Sequence, residues 1–395
     1  MVLFTDQPEA HEQALAKSRQ LPRPGCPRVM TGHDGDGDGL AIRFQGCDVW
    51  DVRELIGTIA GQPIPHAIVS NSDHLQAQTA LAAAYFDLPG KDWRSALRAK
   101  NKFLMRRRLA EVGAEHVVAA EIRPGAAQLP GGLRYPVVLK PAEGVASEDV
   151  MLVIGPEELA ERSAEIFTRR PGETLVAEEY LSGQLRTLET LSDGKTTWVL
   201  GGFRTALSPL PFFMEERLTW DVPPAEAREH VLGALGAIGS AFGACHTEFV
   251  DGDRSPTLIE VNDRLIGDHC DFILSDLLDI DLFELVLRVH LGESLPAEPP
   301  QPWGGTGHAV IDYVIADRPG VLTGVPKSGP RTVADPDVRL SYRTLRQAGD
   351  RIAITHTNRD YLGVISAIGT GASAVEHAVS AARATESWLI TGSLA

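Results

Sequence analysis

Two short segments near the middle of the chain, His246-Thr247-Glu248 and Ile259-Glu260-Val261-Asn262-Asp263-Arg264, say most about its fold. The first follows a run of small residues, and the second reads as an apolar strand with polar side chains at every second position. Because alternate residues of a strand face one side, Glu260, Asn262 and Arg264 are predicted to point the same way. The acid of the first segment, on the paired strand, can face them.

This hairpin has two interpretations, a solvated face with incidental charges or a metal site. Apolar residues interleave with the polar set, so the sheet is partly buried, and buried acids need partners. Glu248, Glu260 and Asn262 offer hard oxygen ligands, which suit Mg²⁺ together with substrate phosphates. Arg264 beside them suits an anion that develops during a reaction. We therefore favour the metal site.

The composition of the 395-residue chain is that of a soluble globular protein, with 43% hydrophobic and 23% charged residues. This length is too great for one simple core and predicts two or three domains. The net charge of −16 argues against nucleic acid as a partner, because phosphate backbones bind basic surfaces. It does not argue against ATP, because local lysines and Mg²⁺ can carry that binding.

Neither a signal peptide nor a transmembrane helix is expected from the sequence. The early residues are acidic and polar without an apolar run, and no stretch of about 18 apolar residues occurs. None of the four cysteines forms a C-x-x-C pair, which favours a reducing compartment. We therefore expect a cytoplasmic protein with no membrane partner.

The N-terminal part, residues 1–95, is predicted to be an α/β domain with a parallel sheet. Its pattern alternates between apolar strand segments and helix signals. The predicted elements are strands at 28–30, 41–44 and 67–70 and an alanine-rich helix from 74 to about 86, which follows the start signal Asn71-Ser72-Asp73.

A glycine- and aspartate-rich segment, residues 32–39, interrupts this pattern. Its oxygen ligands recur at every second residue, as they do in a Ca²⁺ loop. The bidentate glutamate of an EF-hand is replaced by Gln45, and flanking helices are not predicted. We therefore interpret the segment as a loop after a first strand, from which it can reach a substrate.

Residues 96–300 are predicted to form an α+β unit with a small subdomain at about 135–203, and a proline-rich boundary separates it from a C-terminal domain at 301–395. The order of signals supports this division. The predicted elements are a basic helix from Ala96 to Gly113, a strand at 135–141, a loop at 142–149, a helix at 156–168, strands at 174–181, 186–191 and 196–203, the boundary at 299–302, strands at 308–315 and 351–354, and a helix near 374–386.

Several side chains in this region are candidates for nucleotide binding, each with a plainer alternative. Lys140 ends a strand, and the backbone N–H groups of the following loop could complete a phosphate cradle; the alternative is a surface lysine. The loop is not a P-loop, because the G-x-x-x-x-G-K-[ST] pattern is absent. Lys102 could equally lie on a solvated helix face. Glu178 and Glu179 could contact adenine or form an edge-strand charge pair.

Taken in order, these signals resemble the ATP-grasp superfamily: a lysine, a strand–lysine–loop, a strand with Glu-Glu-x-Leu, then Glu and Glu-x-Asn-x-Arg, over about residues 96–290. Within it, the chain is most similar to carboxylate–amine ligases related to L-amino-acid ligases. Those carry a histidine two residues before the first metal glutamate, as His246 is here, and a glycine after the arginine, as Gly267 is. The segment from His308 also resembles their closing domain.

The resemblance implies a fold of the α/β and α+β classes: an ATP-grasp fold with an N-terminal parallel-sheet domain, a small lid subdomain and a C-terminal domain. It implies ATP and Mg²⁺ as cofactors, and Mn²⁺ can substitute. The implied roles are phosphate binding by Lys102, Lys140 and the loop up to Ser147; adenine binding by Glu178, Glu179 and the backbone through Leu181; metal binding by Glu248, Glu260 and Asn262; stabilisation of the acyl phosphate and tetrahedral intermediate by Arg264; and an acceptor site near His246 and Gly267. Glu189 matches a family acid grouped with the cofactor-binding residues.

Two positions depart from the family pattern. Leu185 stands where many ATP-grasp proteins carry an acid that reaches the ribose, which leaves Gln184 and Arg186 as candidates for that role. The phosphate loop is also poorer in glycine than usual and contains acidic residues, so we expect it to stay open until nucleotide and Mg²⁺ bind.

The implied reaction joins a small carboxylate to a small amine, both amino-acid-like compounds of specialised metabolism, with release of ADP; a homodimer is compatible with this reading. One alternative is a carboxylase-like enzyme or an amine ligase of nucleotide biosynthesis. An alternative of another class is an ATP-binding module without turnover. Candidates for the substrate pocket, equally plausible as core, are Phe203, Phe212, Phe213, Trp220 and Asp268.

Overall fold

The computed structural model describes residues 2–3, 47–125, 129, 132–252 and 255–392. The predicted strands at 28–30 and 41–44 and the glycine- and aspartate-rich segment at 32–39 lie outside the described residues. Within the described ranges, the chain forms the mixture of helices and sheets expected from the sequence, and the sheets are largely antiparallel.

The helices that position the candidate site are short to medium in length. In chain order they are α1 Val52–Ala60, α2 Gln76–Tyr85, α3 Trp93–Lys100, α4 Lys102–Glu111, α5 Pro156–Arg169, α6 Ala225–Ile238, α7 Cys270–Leu278, α8 Leu282–His290 and α9 Ala372–Thr385.

The strands fall into a parallel pair and three antiparallel sheets. In chain order they are β1 Val2–Leu3, β2 Ile68–Val69, β3 Ala119–Ile122, β4 Val137–Pro141, β5 Met151–Val153, β6 Leu175–Glu179, β7 Gln184–Ser192, β8 Thr197–Gly201, β9 Phe203–Leu207, β10 Glu215–Trp220, β11 Gly243–Asp251, β12 Thr257–Asn262, β13 His308–Ile315, β14 Gly320–Gly324, β15 Gly329–Arg331, β16 Val338–Thr344, β17 Arg351–Ile352, β18 Tyr361–Gly369 and β19 Leu389–Thr391.

The N-terminal region contains the parallel pairing of β1 with β2. Helices α1 and α2 pack around β2 through a core that includes Leu55, Ile68 and Ala82. Helix α2 begins at Gln76, after the start predicted at 74, and Leu75 occupies its N-cap. The polar residues before it form a loop, and the side-chain amide of Gln76 donates to the carbonyl groups of Ser70 at 2.9 Å and Ser72 at 2.8 Å.

The predicted basic helix from Ala96 to Gly113 is wrong as one element, because the chain breaks at Asn101. Its backbone is extended there, and its side chain accepts a hydrogen bond from the N–H of Leu104 at 3.1 Å, which caps α4. Lys102 is therefore the first residue of α4, and its own N–H donates to Ala142 at 2.9 Å. The break aims Lys102 away from a solvated helix face.

A four-stranded antiparallel sheet in the order β3-β6-β4-β5 forms a small unit of its own. Helix α5 covers this sheet through Leu159 and Ile166. The sequence predicts the small subdomain at about 135–203. The sheet begins before the start of that range and ends before the end of that range. Strands β7 and β8, which that range includes, belong to the larger sheet.

A ten-stranded antiparallel sheet follows the path β12-β11-β7-β9-β10-β13-β18-β16-β15 with β8 paired to β7, and a separate three-stranded sheet has the order β17-β14-β19. Helix α6 packs on the ten-stranded sheet in a core that includes Val231 of the helix and Phe249 of the sheet. Helix α7 packs on it in a core that includes Leu274 of the helix and Phe203 of the sheet. The proline-rich stretch at 299–302 leads into β13, which pairs with β10. Strands β13, β15, β16 and β18 of the C-terminal region therefore continue the same sheet.

Among the described residues, no helix is long and apolar enough to cross a membrane.

One glycine in this sheet is required by close packing, which predicts a large stability effect. A Cβ at Gly201 (φ +138°) would lie 1.9 Å from the indole of Trp220. Gly201→Ala should therefore lower the free energy of unfolding by about 3 kcal/mol, measured by urea denaturation. Gly233→Ala, in the open middle of α6, should raise it by roughly 1 kcal/mol. Equal effects of the two changes would contradict the packing assignment.

Candidate active site

A cavity of about 780 Å³ lies where the four-stranded sheet, the ten-stranded sheet and residues 71–74 meet. Residues 345–346 and 358–359 add to its wall from the C-terminal region. Most side chains predicted as site residues line it: Lys102, Lys140, Ser147, Glu178, Glu179, Leu181, His246, Glu248, Glu260, Asn262, Arg264 and Gly267. Of the predicted set, only Glu189 is missing from the described lining.

The two candidate metal carboxylates face each other across neighbouring strands. Glu248 on β11 pairs in register with Glu260 on β12, and His246 pairs with Asn262. Like charges opposite each other destabilise a sheet unless a cation lies near them. Here the Nζ of Lys102 lies 3.2 Å from Glu260, and the Nε2 of His246 lies 3.5 Å from Glu248.

The charges of this group support one another. Burial acts to raise the pKa of Glu248, but His246, Lys102 and Arg264 outweigh it and hold that pKa below its usual value. Burial acts to lower the pKa of Lys102, but the attraction of Glu260 outweighs it and keeps that pKa above its usual value. At neutral pH, Glu248 is therefore a carboxylate and Lys102 an ammonium.

The donor set fits a hard cation such as Mg²⁺. Two opposed carboxylates and an amide supply oxygen atoms, and Mg²⁺ characteristically takes one or two carboxylates together with phosphate oxygens. In the part of the chain that the structure describes, no three His, Cys, Asp or Glu side chains form a group that could hold a metal unaided. A cation held by Glu248, Glu260 and Asn262 would therefore need oxygen atoms from a ligand.

Glu189 acts on His246 rather than on the cavity itself. It lies opposite His246 in the register of β7 and β11, and its Oε1 is 2.8 Å from the Nδ1 of the imidazole. Burial acts to lower the pKa of His246. The carboxylates of Glu189 and Glu248 outweigh this effect and raise the pKa to about 10. The imidazole is therefore a cation clamped between two carboxylates, and Glu189 orients it.

Glu178 is engaged by two cations, which limits its predicted role with adenine. Its Oε2 accepts from the Nε of Arg106 at 2.9 Å, and its Oε1 accepts from the Nζ of Lys140. Burial acts to raise the pKa of Glu178, but Arg106 and Lys140 lower it to about 2. Burial, Arg106 and Lys102 hold the pKa of Lys140 below its usual value, against the attraction of Glu178. The sequence analysis did not single out Arg106, which lies within the predicted basic helix.

The loop predicted to cradle phosphate has a strained backbone. Ala146, Ser147 and Asp149 all have φ between 55° and 59° in the left-handed region, which non-glycine residues rarely adopt. The Oγ of Ser147 donates to Phe213 at 2.9 Å, and the Nζ of Lys102 donates to Gly144 at 3.1 Å. These contacts hold the loop against the rim of the cavity.

Arg264 lies just beyond the end of β12 and is held by its own loop and by the N-terminal region. Its guanidinium donates to the carbonyl of Leu265 at 2.8 Å, and its Nε is 3.6 Å from Asp73. Asp73 also pairs with Lys100. Asp263, which precedes Arg264 in the sequence, lies 3.5 Å from Lys91.

Of the candidate pocket residues, Phe213 and Asp268 line the cavity, whereas Phe203 and Trp220 belong to the core. Phe212 stacks on His356 with ring centroids 4.0 Å apart. Glu215, which no sequence motif singles out, also lines the cavity.

Burial, together with the nearby carboxylates of Glu248 and Asp268, raises the pKa of Glu215 to about 8. Its backbone carbonyl accepts from the hydroxyl of Tyr361 at 2.7 Å. A pKa near 8 makes Glu215 largely neutral at pH 7, unlike Glu248 beside it.

The two candidates for ribose binding are occupied elsewhere. Arg186 lies 2.8 Å from Asp221 and 3.0 Å from Asp251, and the amide of Gln184 donates to Thr205 at 2.7 Å. The cavity wall in this region is formed by Gly183 and Leu185.

Because two buried cations contact Glu178, we expect the stability difference between the wild type and a Glu178 variant to depend on pH. Because its pKa falls from 4.5 to about 2 on folding, its carboxylate stabilises the fold above pH 4.5, and this is lost as the pH falls towards 2. At pH 7, Glu178→Gln should cost about 3 kcal/mol in urea denaturation, and the gap to wild type should narrow from pH 4.5 downward. Glu111→Gln, at an exposed site, should cost little at any pH. A gap independent of pH would contradict the ion-pair assignment.

Comparisons with known proteins support the fold seen here. No protein-family model matches the sequence. An uncharacterized protein of Sinorhizobium fredii, y4rH, is 28% identical over 342 residues, which is 82% of this chain and 68% of that protein.

The structure is similar to that of several solved enzymes. An L-amino acid ligase from Bacillus licheniformis superposes with a TM-score of 0.70 at 23% identity, covering 87% of this chain and 85% of that one. A phosphoribosylglycinamide synthetase from Anaerococcus prevotii gives 0.64 at 12% identity, covering 89% of each. The biotin carboxylase domain dimer of the Hydrogenobacter thermophilus 2-oxoglutarate carboxylase gives 0.63 at 15% identity, covering 87% and 78%. The chain therefore has the ATP-grasp fold, and its architecture resembles that of an L-amino acid ligase.

Proposed function

We propose that this protein is an ATP-dependent carboxylate–amine ligase that activates a carboxylate as an acyl phosphate and releases ADP. The observation that carries the proposal is the direct pairing of Glu248 with Glu260 in one cavity with Lys102, Lys140 and Arg264. Opposed carboxylates, buried cations and an arginine are the parts that phosphoryl transfer requires, since its catalysis is mainly positioning and charge neutralisation.

Lys102 and Lys140 would bind the phosphates of ATP, with the backbone of the loop that ends at Ser147. Because Glu178 is held by two cations, its part is to orient Lys140, and the neighbouring backbone from Glu179 to Leu181 would contact adenine. Support comes from the biotin carboxylase domain named above, which is in complex with ADP, its magnesium salt and bicarbonate.

Glu248, Glu260 and Asn262 would hold Mg²⁺, which Mn²⁺ can replace. When bound, the ion supplies positive charge that neutralises the phosphates of ATP. The chain itself contributes Lys102 next to Glu260, and an imidazolium at His246 next to Glu248. His246 and Lys102 favour the carboxylate form of Glu248 before the ion arrives.

The reaction would proceed in two steps. A carboxylate oxygen of the first substrate forms a bond to the γ-phosphorus of ATP, and the bond from that phosphorus to the β,γ-bridging oxygen breaks, so ADP leaves. The neutral amine of the second substrate then forms a C–N bond to the acyl carbon. The bond from that carbon to the phosphate oxygen breaks, phosphate takes the electron pair, and the amine loses a proton to solvent.

Arg264 would stabilise the oxyanion of the tetrahedral intermediate, because a guanidinium can meet two oxygens at once. His246, held by Glu189, and Gly267 would shape the acceptor side. Gly267 lies beside Arg264, since a Cβ there would be 3.5 Å from the guanidinium, an ordinary van der Waals contact.

Contacts between the phosphate loop and the C-terminal region would keep water from the acyl phosphate. The N–H of Asn358 donates to Ala146 at 3.2 Å, and Arg359 pairs with Glu148. The loop therefore contacts Asn358 and Arg359, which line the same cavity.

The substrates proposed are a small carboxylate and a small amine of the amino-acid type, in specialised metabolism. We propose that residues 1–95, 96–300 and 301–395 act as N-terminal domain, ATP-grasp region and closing domain. A cytoplasmic location is proposed because the reaction needs ATP as a substrate. The homodimer stays a prediction, which a molar mass from light scattering would test.

The test of this function is product formation from pairs of amino acids and small carboxylates. ADP and phosphate should appear only when ATP, Mg²⁺, a carboxylate and an amine are all present. AMP and pyrophosphate as products would contradict the acyl-phosphate route, and nucleotide binding without any product would indicate a binding module.

Replacing one metal ligand gives a sharper prediction. Glu260→Gln should lower kcat by about a hundredfold or more, because an amide is a weak Mg²⁺ ligand. Circular dichroism should show an unchanged fold. The matched control is Glu226→Gln at the exposed start of α6, which should keep wild-type kcat. Near-normal kcat in Glu260→Gln would show that the metal assignment is wrong.

A further inference from the structure

A second cavity, of about 330 Å³, lies behind Arg264. Its walls come from β2 and α2 on the N-terminal side and from α7 and α8 on the other. Most lining side chains are apolar or aromatic, and representative members are Ile68, Ala80, Ala83, Phe272, Phe283 and Val286.

The second cavity adjoins the candidate active site. Arg264 and Asn71 line both cavities. Arg264 is the residue expected to contact the reacting carboxyl group, so a substrate held there has the second cavity within reach of its remaining atoms. The part of the substrate next to its carboxyl group is the side chain.

The size and chemistry of the walls indicate what can occupy this space. An apolar cavity of about 150 Å³ is already large enough to bind benzene. The cavity here has about twice that volume, so it can hold a larger ring system. Apolar walls favour an apolar guest, because burial of such a group from water is favourable in proportion to its area.

Two buried polar atoms in the same wall point to a ligand. Among the described residues, Oδ2 of Asp263 and Nδ1 of His290 have no hydrogen-bond partner, although Asp263 is 3% and His290 6% exposed. Buried polar atoms normally have partners, and each exception calls for an explanation. Burial, together with the nearby Lys91, lowers the pKa of His290 to about 3, so its ring is neutral.

We propose that this cavity binds the side chain of the carboxylate substrate, and that this side chain is an aromatic ring bearing an N–H or O–H group. The ring packs against the walls contributed by Ile68, Ala80 and Phe283. Its donor group is directed to the buried atoms of Asp263 and His290. The inference rests on the proposed ligase function, because it assigns a substrate class to that same site.

The test uses L-tryptophan, L-tyrosine and L-alanine as carboxylate substrates of the full-length chain. The wild type should show a KM for the two aromatic acids at least about tenfold below that for alanine, a discrimination typical of apolar pockets. Ala80→Leu on α2 fills the cavity and should raise the aromatic KM by about 10- to 100-fold, with little change for alanine. Ala84→Leu, on the exposed side of the same helix, is the matched control and should behave as wild type.

A second variant covers the case in which Ala80→Leu does not fold. Val286→Phe fills the cavity from the opposite wall, on α8, and should give the same selective loss. Equal effects on aromatic and small substrates in the folded variants, or no aromatic preference in the wild type, would overturn the proposal.

Calorimetric binding of tryptophan in the presence of a non-hydrolysable ATP analogue separates this proposal from the proposed function. Binding that Ala80→Leu abolishes, without ADP formation by the wild type, would keep the cavity assignment and refute the ligase. ADP formation from alanine without tryptophan binding would keep the ligase and refute the cavity assignment.

Discussion

The candidate site depends on two carboxylates placed directly opposite each other in a partly buried sheet. Glu248 and Glu260 occupy one register position of β11 and β12, where their repulsion would oppose folding without compensation. Lys102 and His246 each contact one of them, and Glu189 holds the imidazole. The fold therefore holds two carboxylates side by side, with a cationic side chain next to each of them.

The compensating cations come from distant parts of the chain, which explains why the site needs the whole fold. Lys102 is placed by the break before α4, Lys140 by the four-stranded sheet, and Arg264 by the turn after β12. Asp73 in the N-terminal region contacts Arg264, and Glu178 contacts Lys140. Each cation therefore lies next to a carboxylate, and two of these carboxylates, Asp73 and Glu178, also pair with a second cation. Buried charges are tolerated only when they are paired in this way.

The sequence predicted those parts of the site that depend on local periodicity or on the order of motifs. The facing of Glu248 and Glu260 follows from two-residue alternation in a hairpin. The clamp of Glu189 on His246 could not be predicted, because it depends on the register of β7 against β11, whose paired residues are 57 positions apart. The same holds for Arg106, which contacts Glu178 across 72 positions.

Local signals also failed where tertiary contacts decided the outcome. The basic helix looked continuous, yet Asn101 breaks it because its side chain caps the next helix and the N–H of Lys102 bonds to Ala142. Glu215 gave no signal, because only the folded sheet brings it to the cavity beside Glu248. The pairing of β13 with β10, across the boundary predicted at 299–302, likewise has no local sequence signal.

The central claim is that the carboxylate substrate is activated by transfer of the γ-phosphoryl group of ATP, and isotope transfer tests it most directly. A carboxylate labelled with ¹⁸O in both oxygens is converted with ATP and an amine, and the released phosphate is analysed by mass spectrometry. The acyl-phosphate route predicts one ¹⁸O atom in each phosphate formed, because the oxygen that attacks phosphorus stays with it when the C–N bond forms. Unlabelled phosphate, or label found in AMP, would contradict it.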